Sequence, residues 1–132
     1  MQRIVLRHIN GSKANQVEEF PLSHFKELTI GRDVSAVVKY DPDREDLVGR
    51  QHAKIAKNGD EQFYLTDLES RNGTFVNKQR ISGTIVIKPG DVVQLGAGGP
   101  DFQFDVEPRP QNGVKATRIG TAPTIGPAST AP

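Results

Sequence analysis

Cysteine is absent from the 132 residues, so neither a disulfide framework nor a thiolate zinc site can form, and the composition suits a reducing cytosol. No apolar run approaches the roughly 18 residues of a membrane span, and the opening MQRIVLRHING lacks the apolar core of a signal peptide. A cytoplasmic protein without membrane insertion is expected. Long amphipathic helices are missing too, the best helical stretch being a short turn near LSHFKE (22–27). Acid is missing from one end. Residues 1–107 hold 14 of the 17 Lys and Arg against all 16 Asp and Glu, a balance of −2, while 108–132 hold the other 3 basic residues (17 − 14) and no acid. The body is therefore no nucleic-acid binder by charge alone.

What the chain does have is one domain's worth of sequence, 35% apolar and 25% charged, with an apolar period of two. RIVLRH (3–8), QVEEF (16–20), KELTIG (26–31), AVVKY (36–40), HAKIAK (52–57), QFYLTD (62–67), GTFVN (73–77), TIVI (84–87), DVVQLG (91–96) and FQFDVE (102–107) read as short strands rich in β-branched and aromatic residues. Asn58-Gly59-Asp60 suits a hairpin, Pro89-Gly90 the centre of a type II turn, and Gly98-Gly99-Pro100 a break in pairing. Ten such strands predict an all-β sandwich over residues 1–107. The remainder, 108–132, is rich in Pro, Thr, Gly and Ala and poor in bulky apolar residues, so a disordered tail or linker is expected.

Motifs of catalysis and metal binding fail on inspection. LGAGGP (95–100) has clustered glycines but is followed by Pro and a strand where a dinucleotide fold needs a helix. SHFK (23–26) spells Ser-x-x-Lys without the partner motifs of that chemistry. DPDREDLVGRQH (41–52) has acids at positions one, three and five of a calcium loop but no Gly at six and His52 in place of the closing Glu, so it reads as a solvated acidic loop. His8, His24 and His52 are too far apart for a local metal site and read as surface or packing residues. No cofactor, metal or enzyme activity is expected.

Three loops remain. Gly31-Arg32 ends one strand, Gly49-Arg50 precedes another, and Ser70-Arg71-Asn72-Gly73 lies between two more. If they converge, three guanidiniums and an amide meet, and an arginine fork matches phosphate or carboxylate bidentately. A phosphorylated side chain, carrying about −1.5 to −2 charges, is the natural anion. Spacing alone favours the plainer alternative of three solvated arginines and an ordinary turn.

Taken together, however, Gly31-Arg32, Arg50-x-His52-Ala53, Ser70-Arg71-Asn72-Gly73-Thr74-Phe75-Val76-Asn77 and PGDVVQLG (89–96) resemble the forkhead-associated (FHA) domain, in this order and at similar intervals. The resemblance covers roughly residues 4–106. It implies an eleven-stranded sandwich whose apical loops bind a phosphothreonine peptide. It also implies that Arg32 grips the phosphate, Arg71 flanks it and Asn72 holds the peptide backbone, with Gly31, His52 and Gly73 keeping loop shape. Gly49 departs from the pattern, standing where the family usually has a serine whose hydroxyl and amide bind phosphate. One lost hydrogen bond to a charged group corresponds to about 1.5–3 kcal/mol, or about tenfold to a hundredfold in affinity unless Arg50 or Arg71 compensates.

The expected partners are a phosphothreonine-containing protein, under an upstream Ser/Thr kinase, or the chain's own tail phosphorylated at Thr117 or Thr124. The alternative is a phosphate-independent interaction scaffold on the same fold, favoured by Gly49. The acidic stretch YDPDRED (40–46) would either repel a phosphopeptide or select basic flanking residues.

Overall fold

The computed structural model describes residues 2–58 and 62–108. Eleven strands are present: β1 (Arg3–Asn10), β2 (Val17–Pro21), β3 (Glu27–Gly31), β4 (Val38–Lys39), β5 (Ala53–Lys57), β6 (Phe63–Asp67), β7 (Thr74–Val76), β8 (Gln79–Arg80), β9 (Thr84–Ile87), β10 (Val92–Leu95) and β11 (Asp101–Glu107). They form a six-stranded sheet in the order β2-β1-β11-β10-β7-β8 and a five-stranded sheet in the order β4-β3-β5-β6-β9. Pairing is antiparallel except between β3 and β4.

Because successive side chains leave a strand on opposite faces, the period-two residues of both sheets turn inward. Ile4 and Leu6 of β1, Phe102, Phe104 and Val106 of β11, and Val93 and Leu95 of β10 are buried on one side. Leu28 and Ile30 of β3, Ala53 and Ile55 of β5, and Phe63 and Leu65 of β6 meet them from the other. Phe63 and Phe104 lie with ring centroids 5.5 Å apart, tilted by 59°. Burying each such side chain is worth about 1.5–3 kcal/mol, so this double layer holds the loops in place.

The ten segments with period-two patterning each contain a strand, and the eleventh, β8, is a pair of exposed polar residues. Residues 36–40 contribute only the two-residue parallel β4: before it Val37 N–H goes to the Thr29 hydroxyl (3.1 Å) rather than to a ladder carbonyl, and after it Tyr40 N–H makes one last bond to the Gly31 carbonyl of β3 (2.9 Å). LSHFKE forms one turn closed on the Pro21 carbonyl by His24 and Phe25 N–H, and no helix occurs among the described residues. Pro89-Gly90 is the expected turn: Gly90 has φ +99° and Asp91 N–H meets the Lys88 carbonyl at 3.0 Å. The turn proposed at Asn58-Gly59-Asp60 joins the antiparallel pair β5 and β6, but 59–61 lie outside the described residues, as do 109–132 and with them the expected disordered tail and Thr117 and Thr124.

Candidate functional site

Strand register brings the three loops to one end. Ile30 near the end of β3 pairs with Ala53 at the start of β5, and Ala53 pairs in turn with Asp67 at the end of β6. Thr74 at the start of β7 pairs with Leu95 at the end of β10. Gly31-Arg32, Gly49-Arg50 and residues 70–73 must therefore leave the sheets together.

Backbone hydrogen bonds fasten them. Arg32 N–H donates to the Gly49 carbonyl and Asp33 N–H to the Arg50 carbonyl, each at 3.0 Å. Gly31 is required by this closeness: a Cβ there would lie 2.0 Å from the Arg50 carbonyl oxygen. Gly73 is required by conformation, with φ +87°; the Arg80 guanidinium lies beside it, its Nε 2.9 Å from where a Cβ would stand.

His52 is the centre of this lattice. Fully buried, it accepts Gly49 N–H at Nδ1 (2.9 Å), so Nε2 carries the proton donated to the Gly73 carbonyl (2.8 Å). Burial holds its pKa below the ordinary value, outweighing the Gly73 bond and the nearby Asp67 charge that favour protonation. His52 thus ties the loop before β5 to the loop before β7, and the Gly49 amide is already donated to the imidazole.

Asp67 plays the same part for the third loop. Its Oδ1 accepts the hydroxyls of Ser70 and of buried Thr74. Burial raises the pKa of this carboxyl, but the hydrogen bonds from Ser70 and Thr74 more than offset it and the net shift is downward. The Ser70 hydroxyl is therefore turned toward Asp67.

The three guanidiniums are used differently. Arg32 donates through Nε to the Val48 carbonyl and through NH1 to the Pro42 carbonyl (3.2 Å), which lays it along the 41–48 loop. Arg50, with 76% of its side chain exposed, reaches Asp33 at 3.2 Å. Hydrogen bonds from Ser35, and then from Arg50, hold the Asp33 carboxyl below the usual range. Arg71 is exposed and, among the described residues, makes no hydrogen bond or ion pair. Asn72 donates Nδ2 to the Leu47 carbonyl (3.0 Å), tying the third loop to the second. Among the described residues, Arg32 and Arg71 are thus cations without a carboxylate, whereas Arg50 has one.

Two features were not expected. The acidic stretch is not wholly solvated: Glu45 is 8% exposed and its Oε2 accepts Ser12 N–H (2.5 Å), anchoring the 41–48 loop to the β1–β2 turn. Arg80 on β8 reaches the loop end beside Gly73, a contact that no motif marks because β8 itself has no apolar pattern. Of the other histidines, His8 is buried between Tyr40 and Phe102 and bonded to Glu18 Oε1 at 2.7 Å, while His24 is exposed. Among the described residues no helix is long and apolar enough to cross a membrane.

Known proteins share this fold. The sequence model of the FHA domain matches residues 28–96, just over half of the chain. An oxoglutarate dehydrogenase inhibitor of Corynebacterium jeikeium is 41% identical over 49 residues, covering 37% of this chain and 33% of that protein. A probable E3 ubiquitin-protein ligase, dma1 of Schizosaccharomyces pombe, is 33% identical over 92 residues, covering 63% of this chain and 33% of that protein. The chain thus spans a third of the length of these curated relatives. Among solved structures, one from work on phosphothreonine-dependent FHA domain interactions shares 26% identity with a TM-score of 0.64, over 80% of this chain and 98% of that one. EmbR of Mycobacterium tuberculosis in complex with a low-affinity phosphopeptide has the same fold at 22% identity and a TM-score of 0.64, over 78% of this chain and 24% of that one.

Proposed function

This chain belongs to the FHA domain family, and we propose that it is a phosphopeptide-binding module which reads phosphothreonine at the loop end of its sandwich. The observation that carries this is the pair of cations without a carboxylate: Arg32, set among backbone carbonyls, and Arg71, exposed and unpartnered among the described residues. Such guanidiniums gain most from an anion that accepts several N–H bonds at once. Arg32 grips the phosphate and Arg71 flanks it. Asn72 holds the peptide backbone, and Arg50, Gly49 and Ser70 border the site, with Gly31, His52 and Gly73 fixing the loops. No step of catalysis belongs to this set; the chain acts by binding. Residues 1–107 form the binding domain and 108–132 a tail whose Thr117 and Thr124, once phosphorylated, compete for the same site at a tethered concentration of order millimolar. A Ser/Thr kinase acts upstream, in the cytoplasm.

A second reading follows from Gly49, which brings no hydroxyl and whose N–H is already donated to His52. On this reading the domain is a scaffold that holds a partner without phosphate. Paired phosphorylated and unphosphorylated threonine peptides, titrated by fluorescence anisotropy, separate the two. The reader binds only the phosphorylated member, and equal binding of both members favours the scaffold.

A further inference from the structure

Away from the loop end, the two sheets leave their last strands, β8 and β9, on the same side of the sandwich, with a groove of ≈ 530 Å³ between them. Its apolar surface comes from Val76, Ile81, Ile85 and Val86, of which Val86 is 40% exposed. Arg80 and Lys88 line it as well.

The register shows what β9 offers to the groove. Asp67 N–H donates to the Gly83 carbonyl at 2.9 Å, and the pairs continue as Thr66 with Thr84, Leu65 with Ile85, Tyr64 with Val86 and Phe63 with Ile87. In an antiparallel ladder the direction of the backbone groups alternates, so Ile85 and Ile87 point theirs at β6 while Thr84 and Val86 point N–H and C=O away from it. The 2.9 Å contact between the Thr66 and Thr84 hydroxyls fits the closer, non-hydrogen-bonded kind of pair. Among the described residues no strand pairs with β9 on its outer side. An open edge of this kind, with apolar side chains beside it, is a template for another strand.

Charge selects the occupant. Among the described residues neither Arg80 nor Lys88 makes an ion pair, and exposed Lys78 lies in the turn that precedes β8. Asp91 also lies on the groove wall, but its carboxylate is held by Asn77 Nδ2 (3.1 Å) and Lys88 N–H (2.8 Å). The chain's own tail has three basic residues and no acid, so it is repelled. A second copy pairing β9 with β9 would bring like charges together.

We propose that β9 accepts an added strand from a partner protein: an extended acidic segment whose aliphatic side chains alternate with its acids. Its backbone pairs with Thr84 and Val86, its acids face Arg80 and Lys88, and this recognition requires no phosphate. Arg80 lines the groove and also lies beside Gly73, so its side chain is shared by the groove wall and the loop end.

The test uses the full chain and a short synthetic peptide alternating glutamate with valine and isoleucine, free of serine and threonine. Binding is followed by amide NMR. The expected result is that Thr84 and Val86 amides shift and become protected from exchange, with unchanged response in Arg32→Ala. Val86→Pro, which deletes one outward N–H, abolishes the effect. Lys88→Glu, a surface change, weakens it by about tenfold at low salt and less at high salt. No binding at millimolar peptide, equal binding of a lysine-for-glutamate peptide, or shifts confined to Arg32 and Asn72 would each overturn the proposal. Concentration-dependent dimerisation through β9 without peptide would also overturn it, replacing the acidic partner by a second copy.

Discussion

His52 Nε2 lies 2.8 Å from the Gly73 carbonyl oxygen, so one buried side chain joins the loop before β5 to the loop before β7. The same ring takes Gly49 N–H at Nδ1. His52→Ala leaves the part-buried Gly49 N–H and the buried Gly73 carbonyl without partners beside a cavity, and stability should fall by about 2–4 kcal/mol. Thermal unfolding measures this, and a loss within about 0.5 kcal/mol would show that the ring does not hold the loops.

The protonation state of His52 gives that stability a pH dependence. Its folded pKa lies below its ordinary 6.5, so in the window between the two values the unfolded chain binds more protons. The contribution is complete above about pH 6.5 and is lost as pH falls through the folded pKa. Urea midpoints should therefore decline below that pH, and the decline should be shallower in His52→Asn. Parallel profiles for the two proteins would assign the dependence to other groups.

Gly31→Ala places a methyl group 2.0 Å from the Arg50 carbonyl oxygen, an approach that only a backbone shift relieves. The expected cost is about 1–3 kcal/mol in stability, with weakened phosphopeptide binding because the Arg32 and Arg50 loops part. Circular dichroism melts and anisotropy titrations check both.

At Gly49 the opposite holds. Its φ is outside the left-handed region, and the atom nearest a new Cβ is His52 Nδ1 at an ordinary 3.6 Å. Gly49→Ser should leave stability within about 0.5 kcal/mol and, by adding a hydroxyl donor, tighten phosphothreonine binding by about tenfold to a hundredfold. Isothermal titration of parent and variant decides. Unchanged affinity in a folded variant would mean that no phosphate oxygen comes within reach of residue 49.

Most of the sandwich is legible in the sequence because alternation of apolar residues is a local property. Ile4 and Leu6, or Phe102 and Phe104, reveal a buried strand face without knowledge of its neighbour. β8 is not legible, since Gln79 and Arg80 are exposed polar residues that join the sheet by pairing with Val76 and Phe75. At the loop end the arginines and Asn72 stand out by motif, but their present partners do not. That His52 takes the Gly49 amide, that Glu45 turns inward to Ser12, and that Arg80 reaches Gly73 all depend on contacts closed by the sheets.

The role proposed for Arg32 rests on its fork. Arg32→Lys keeps the charge but cannot span the Val48 and Pro42 carbonyls and an anion together. Phosphopeptide affinity should drop by about tenfold in the lysine variant and further in Arg32→Ala. Equal affinity in the parent and the alanine variant would remove Arg32 from the site.

The central claim, that the loop end reads phosphothreonine, is tested most directly by following backbone amide signals during titration with a phosphothreonine peptide and its unphosphorylated twin. The account predicts that Arg32, Gly49, Arg71 and Asn72 shift with the phosphorylated peptide alone. Shifts that are the same for both peptides, or that leave these four residues unmoved, would contradict it.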